Sequence, residues 1–145
     1  MHNIAALRLL FGDIASGSAL VWNVNSAVGR TDSIKLNFKT TNGINGSFNM
    51  SANVEGYSEN RLLIFGNRGT ISIRDDDIEV MNPEGESFKE LMNDDGGFKA
   101  QFENFYDAVR NGSEVVSTFK EAYKDIEVLL NAYLSSESGI PFKIE

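Results

Sequence analysis

Two runs of alternating residues, joined by Thr41-Asn42-Gly43-Ile44, constrain this chain more than any other feature. Ile34, Leu36 and Phe38 alternate with Lys35, Asn37 and Lys39, and Phe48, Met50 and Ala52 alternate with Ser47, Asn49 and Ser51. A period of two belongs to a strand with one buried and one wet face, and Asn-Gly tolerates the positive φ that a tight hairpin demands. The two runs are therefore expected as an antiparallel pair. Further strands are expected at Ile14 to Asn23, Arg61 to Phe65, Thr70 to Arg74, Asp77 to Met81 and Ser87 to Leu91, with turn residues between them.

Outside this stretch the period becomes helical. Ile4, Leu7, Leu10 and Phe11 share one face, and Gly12 suits the left-handed position past a helix end. Phe98, Phe102, Phe105 and Val109 form a second stripe ended by Gly112. Phe119, Ala122, Ile126, Leu129, Leu130 and Tyr133 form a third ended near Gly139, with Thr118 and Glu121 as a capping box. The segment from Ile140 to Ile144 reads as an edge strand, where Pro141 is tolerated. These patterns predict an α+β fold of two layers, a mostly antiparallel sheet with helices packed on one face. The open face would carry Lys35, Asn37, Lys39, Ser47, Asn49, Ser51 and Asn53. Such short polar side chains suit solvent, a second subunit or a polyhydroxylated ligand.

At 145 residues and 41% hydrophobic content the chain is expected to be one domain, residues 1–145. A formal charge of -8 argues against nucleic acid and anionic membrane as partners. The apolar run from Ile4 to Phe11 contains Arg8 and is too short to span a bilayer. Absence of Cys fits a reducing compartment, and a cytoplasmic location is expected. A helix that starts at the first residues without an N-cap points to a chain cut from something longer.

Chemistry-bearing motifs are few. Neither a G-x-G-x-x-G nor a G-x-x-x-x-G-K-S/T loop occurs, and Gly66-Asn67-Arg68-Gly69 lies between two expected strands, so it reads as a hairpin. Asp75-Asp76-Asp77 lacks the spacing of a calcium loop and reads as a solvated turn, while Asp94-Asp95 reads as a turn feeding a helix. No metal site is expected. His2 is the one histidine, and composition alone gives it no partner for nucleophilic chemistry.

Three stretches, taken in order, resemble a known family. His2-Asn3-Ile4-Ala5-Ala6-Leu7-Arg8-Leu9-Leu10-Phe11-Gly12 is similar to an "H-x-I-D-x-x-R-x-L-x-G" helix, and Arg61 to Ile71 to an "I-x-G-x-x-G-T" strand pair. Ser117 to Asp125 through Gly139-Ile140-Pro141-Phe142 is similar to a closing helix and edge strand. Together they resemble the C-terminal domain of the Gfo/Idh/MocA oxidoreductases (glucose-fructose oxidoreductase, inositol dehydrogenase). The resemblance implies a substrate and oligomerisation domain whose parent carries an N-terminal Rossmann domain, absent from this chain, for NAD or NADP. No cofactor is expected in this chain itself.

The resemblance also makes His2 the acid/base for a substrate hydroxyl, a role suited to imidazole near neutrality. Its family partner Asp would precede residue 1, and Ala5 stands where an Asp is common. Trp22, Asn23 and Arg30 are the expected substrate contacts, by stacking and hydrogen bonding to a sugar or polyol; core filling for Trp22 and solvent for the others compete with that role. The expected partners are that small molecule and further copies of the chain, joined through the open sheet face. A standalone non-enzymatic binding or oligomerisation module of the same fold is the alternative.

Overall fold

The computed structural model describes residues 2–29, 31–52, 55–56, 58–92 and 95–144. The chain runs α1 (His2–Phe11), β1 (Ile14–Trp22), a 3₁₀ turn (Ser26–Val28), β2 (Ser33–Thr40) and β3 (Asn45–Ser51). It continues through β4 (Arg61–Gly66), β5 (Gly69–Arg74), β6 (Asp77–Met81), β7 (Ser87–Leu91), α2 (Phe98–Asn111), α3 (Phe119–Ser138) and β8 (Phe142–Lys143). This is the expected α+β fold. Alternation identifies strands without saying how many sheets they form, and here they form two, ordered β3-β2-β1-β8 and β4-β5-β6-β7, all antiparallel. Contacts divide the chain in the same way, into Met1–Glu55 with Val116–Glu145 and, separately, Gly56–Val115. No helix among the described residues is long and apolar enough to cross a membrane.

In the first unit, period two sorts each strand between two faces. Ile34, Leu36 and Phe38 of β2 join Ile4, Ile14, Ala19, Val128, Ala132 and Phe142 in the core, so α1 and α3 cover this side of the sheet. Lys35, Asn37 and Lys39 are exposed on the other side. The β2–β3 register pairs Leu36 with Phe48 and Lys35 with Asn49, which carries the division across to β3. The hairpin itself differs from the simplest Asn-Gly turn. Thr40 N–H donates to the Ile44 carbonyl (2.9 Å), and within this loop only Gly43 takes a left-handed φ, 83°. That is the three-residue loop ending in an αL glycine, so Asn42 keeps negative φ.

Two glycines make room for two rings. Gly17 and Gly46 lie opposite Phe38 on its two neighbouring strands, and Gly17 also pairs with Phe142 of β8. A Cβ on Gly17 would stand 2.6 Å from the Asn37 carbonyl oxygen and 2.9 Å from the Phe142 ring. Beyond the two-residue β8, hydroxyls of α3 close the edge of β1: Ala19 N–H donates to Ser135 Oγ (3.3 Å) and Val21 N–H to Ser136 Oγ (2.9 Å). These donors would otherwise go unpaired in a covered place, at a cost comparable to a lost hydrogen bond.

The second unit is a four-stranded meander followed by α2. Gly66 and Gly69 face each other across the β4–β5 turn, as the hairpin reading required. Asp75, φ 48°, turns β5 into β6, and its carboxylate accepts from Asn60 N–H (3.3 Å). Asp95 caps α2 by accepting from Gly97 and Lys99 N–H groups (3.1 and 2.8 Å); Asp94 and the open-face candidate Asn53 lie outside the described residues.

Of the apolar stripe expected on α3, Leu129 packs against the core and Ala122 is half-buried, but the fully buried face lies beside it. Asp125, Val128, Ala132 and Ser135 are buried, while Phe119 is 97% exposed and Leu130 and Tyr133 are also exposed. Polar obligations explain the rotation, because Asp125 must reach a buried cation and Ser135 the edge of β1. Likewise, no residue of α2 is buried.

Gly17→Ala is expected to lower unfolding free energy by about 1–3 kcal/mol, the cost of overpacking a fitted site, because the nearest obstacle is backbone. Urea denaturation reads this directly. An unchanged midpoint would mean that β1 and β2 part there without cost.

Candidate functional site

The site begins with how α1 is held, because α1 carries His2. Ile4 and Arg8 sit one turn apart on the buried side of the helix, at 1% and 7% exposure. A guanidinium there needs anions. Arg8 Nη1 donates to Asp125 Oδ1 (2.5 Å) and to the Glu121 carbonyl (3.0 Å), while Nη2 donates to Asp13 Oδ1 (2.7 Å) and Glu121 Oε2 (2.5 Å). Nε adds a second bond to Asp13 (3.0 Å), and Lys124 Nζ closes the network on Asp13 (2.9 Å) and Glu121 (3.3 Å). One residue thus ties α1, the entry to β1 and the first turns of α3. It also alters the expected capping box: Thr118 Oγ1 accepts from Glu121 N–H (3.2 Å), but the Glu121 carboxylate is bound to Arg8.

The electrostatics follow from this geometry. Burial opposes the Arg8 charge, yet hydrogen bonds to Asp125, Asp13 and Glu121 outweigh it and hold the group above its ordinary value. The Lys124 bond, then the Arg8 bond, hold Asp13 below its ordinary 3.8; Arg8 first, then Lys124, hold Glu121 below its ordinary 4.5.

A second anchor lies at the other end of β1, nine residues from Asp13 and so about 30 Å away in extended chain. The Asp32 carboxylate accepts N–H groups of Val24 (2.8 Å) and Asn25 (2.7 Å) and the Ser33 hydroxyl (2.9 Å). The two backbone bonds hold its carboxyl below the ordinary value. Asn25 Oδ1 caps the 3₁₀ turn through Ala27 N–H (3.1 Å), and the Thr31 hydroxyl bonds that of Tyr133 on α3. The connection between β1 and β2 is therefore fixed at both ends.

The expected site residues fall on these two anchored elements. His2 is exposed at the start of α1. Trp22, 43% exposed, ends β1 opposite Ser33, and Asn23 follows with its Nδ2 donating to the Gly29 carbonyl. Asn23 Oδ1 is buried and has no partner among the described residues. Arg30 lies outside the described residues. Trp22 and Asn23 are brought together; no hydrogen bond among the described residues joins either to His2. Sequence reading missed both anchors. A charged residue at the i+4 position from buried Ile4 was the available signal for Arg8, whereas Asp32 offered none, since an acid before a strand is common.

The glycine pair at 66 and 69 belongs to a hairpin between two strands, where no helix N-terminus follows to receive a pyrophosphate.

Arg8→Met should cost about 3 kcal/mol at pH 7, since it leaves Asp125, whose side chain is 10% exposed, as a buried unpaired charge. Asp13 and Glu121 have lowered values in the folded state, so their contribution is complete above 3.8 and 4.5 and is lost as pH falls through the lower folded values. Denaturant melts of wild type should therefore weaken steeply below pH 4, and those of Arg8→Met less so. Equal acid sensitivity in both would show that the knot contributes nothing.

Comparison with known proteins agrees with this architecture. No curated protein matches the chain. Among solved structures, an oxidoreductase from Thermotoga maritima superposes with a TM-score of 0.84 at 26% identity, over 98% of this chain and 41% of its own. An oxidoreductase from Agrobacterium radiobacter, in complex with NAD+, L-tartaric acid and magnesium, gives a TM-score of 0.84 at 19% identity, over 98% and 46%. The WlbA dehydrogenase from Bordetella pertussis, in complex with NADH and UDP-GlcNAcA, gives 0.78 at 16%, over 99% and 43%. The chain thus spans less than half the length of these proteins. Its residues 1–144 match the model described as the oxidoreductase family's C-terminal alpha/beta domain, and with both units inside that match the chain belongs to the Gfo/Idh/MocA family as that domain.

Proposed function

We propose that this chain is the substrate-side and assembly domain, residues 1–145, of a cytoplasmic NAD(P)-dependent oxidoreductase acting on a sugar, polyol or related hydroxyl compound. The observation that carries the reading is the family match over residues 1–144, in a chain that covers under half of relatives crystallised with NAD+ or NADH. A nicotinamide cofactor would supply the hydride chemistry and would be held by residues outside this chain. Within it, His2 takes or returns the proton of the substrate hydroxyl, and the Arg8 knot holds its helix still. Trp22 offers a flat apolar face, Asn23 an acceptor that has no partner among the described residues, and Arg30 a cationic donor to the same ligand. Identical chains associate through the open face of the β3-β2-β1-β8 sheet, where Asn49 and Ser51 present hydroxyl and amide groups and no carboxylate.

In the full-length protein, His2→Ala should lower kcat by about 10²–10⁴-fold while leaving nicotinamide affinity within a factor of two, since an acid/base acts in the transition state. Cofactor absorbance with a panel of sugars and polyols gives the rate, and fluorescence titration gives the affinity. Turnover unaffected by the change removes His2 from the reaction, and no cofactor reduction with any member of the panel removes the substrate class.

The assembly has its own test. Light scattering at tens of micromolar should find a dimer or larger species, split by Asn49→Glu with Ser51→Glu through like charges across a two-fold axis. A monomeric wild type, or an assembled variant, would exclude this face as the contact.

A further inference from the structure

We propose that the outer face of α3 seats a helix of the nicotinamide-binding domain of the full-length protein. Phe119, Tyr123, Ile126 and Leu130 recur along α3 at intervals of four, three and four, and Leu134 follows. At about 100° per residue this stripe lies roughly opposite Asp125, Val128, Ala132 and Ser135, the buried side that meets the sheet and α1. All five side chains of the stripe are exposed. No charge interrupts it; Lys120 and Glu127 border one side, and Glu137 closes its end. A helix with water outside it carries polar side chains there, whereas one that is apolar on two opposite faces is covered on both. Alternating intervals of four and three are those that a second helix meets, side chain into gap.

The size of the stripe fits a contact between domains. From Phe119 to Leu134 it runs for about 22 Å along the helix axis. Its five side chains leave about 600 Å² of apolar surface in water, counting about 200 Å² for a free aromatic ring and somewhat less for Leu or Ile. That equals the largest apolar patch on a typical monomer, and it is enough for one side of an interface within a chain.

The inference rests on the proposed oxidoreductase role, and that role selects the occupant. The chain covers under half of each of two relatives crystallised with NAD+ or NADH. His2 opens α1, and α1 lies on the helix-covered side of the first sheet, tied to the first turns of α3 through Arg8, Glu121 and Asp125. A hydride carrier has to meet a substrate held at His2, so the domain that brings it approaches from this side and not from the open face. A doubly wound nucleotide-binding domain is walled by helices on both faces of its sheet, and one of these supplies the complementary ridge. Contact between identical chains uses the opposite face of the first sheet, so the two partners do not compete for surface. A domain seated on α3 is held in register with His2 by the Arg8 knot itself.

The test places a photoreactive benzoylphenylalanine at Phe119, Tyr123 or Leu130, one position at a time, in the full-length protein. Irradiation should give cross-links within one chain, mapped by mass spectrometry to the nicotinamide-binding domain, from all three positions. Tyr123→Glu with Leu130→Glu puts two charges into the contact and should reduce the yield from Phe119 at least fivefold. A product of twice the chain mass would mean that a second copy covers the stripe, and that result would overturn the proposal. So would the absence of cross-links from all three positions, or a Phe119 yield that the double variant leaves unchanged. Fluorescence titration of the same preparation with NADH and NADPH separates this inference from the reading beneath it. Cofactor binding without cross-links would overturn the docking face and leave the oxidoreductase role standing, whereas no binding of either cofactor would overturn both.

Discussion

A guanidinium buried between two helices and the start of a strand cannot exist without anions, and the first unit is organised around supplying them to Arg8. Asp13 and Asp125 arrive from positions more than a hundred residues apart, and Glu121 brings both its carboxylate and its carbonyl. Desolvating a charge is costly, and only a full set of hydrogen bonds in good geometry offsets it. The arrangement is therefore all-or-nothing. It fixes the angle of α1, the point at which β1 leaves it and the rotation of α3 about its own axis, which in turn decides that Val128 and Ala132 face the sheet.

Asp32 performs the complementary task at the far end of β1. Its two backbone N–H partners follow Trp22 and Asn23 directly, so the geometry of that corner is set by a carboxylate and not by apolar packing. Val24 beside it is 58% exposed and contributes little burial. A strand stiffened by pairing on both sides thus separates two electrostatic anchors, and the candidate residues His2, Trp22 and Asn23 are attached to the ends of that rigid frame.

Much of this was legible in the sequence, and the boundary is physical. Period two at Ile34-Leu36-Phe38 and Phe48-Met50 identified the paired strands and the face of each residue, because alternation on a pleated backbone leaves no freedom. The glycines at 12, 112 and 139 marked three helix ends, all at left-handed φ. What a local pattern could not carry was obligation at a distance. The stripe of Phe119, Ala122, Ile126, Leu129, Leu130 and Tyr133 looked like the buried side of α3; of these Leu129 packs against the core, but Asp125 and Ser135 had bonds to make with α1 and β1, and those turned the helix. The number of sheets was hidden for the same reason, since pairing partners are long-range. Of the candidate site, residue types at His2, Trp22 and Asn23 were readable, whereas the groups that hold them were not.

The two serines near the end of α3 have a consequence for how the molecule meets other chains. A strand edge with free N–H groups is a template on which any extended peptide can add, and this is a common route to aggregation. From Ala19 to Val21, β1 presents such groups, but they are already spoken for by Ser135 and Ser136. An incoming strand would have to displace a twenty-residue helix before forming its first ladder bond. A helix that packs a core on one side thus acts as a guard against strand addition on the other.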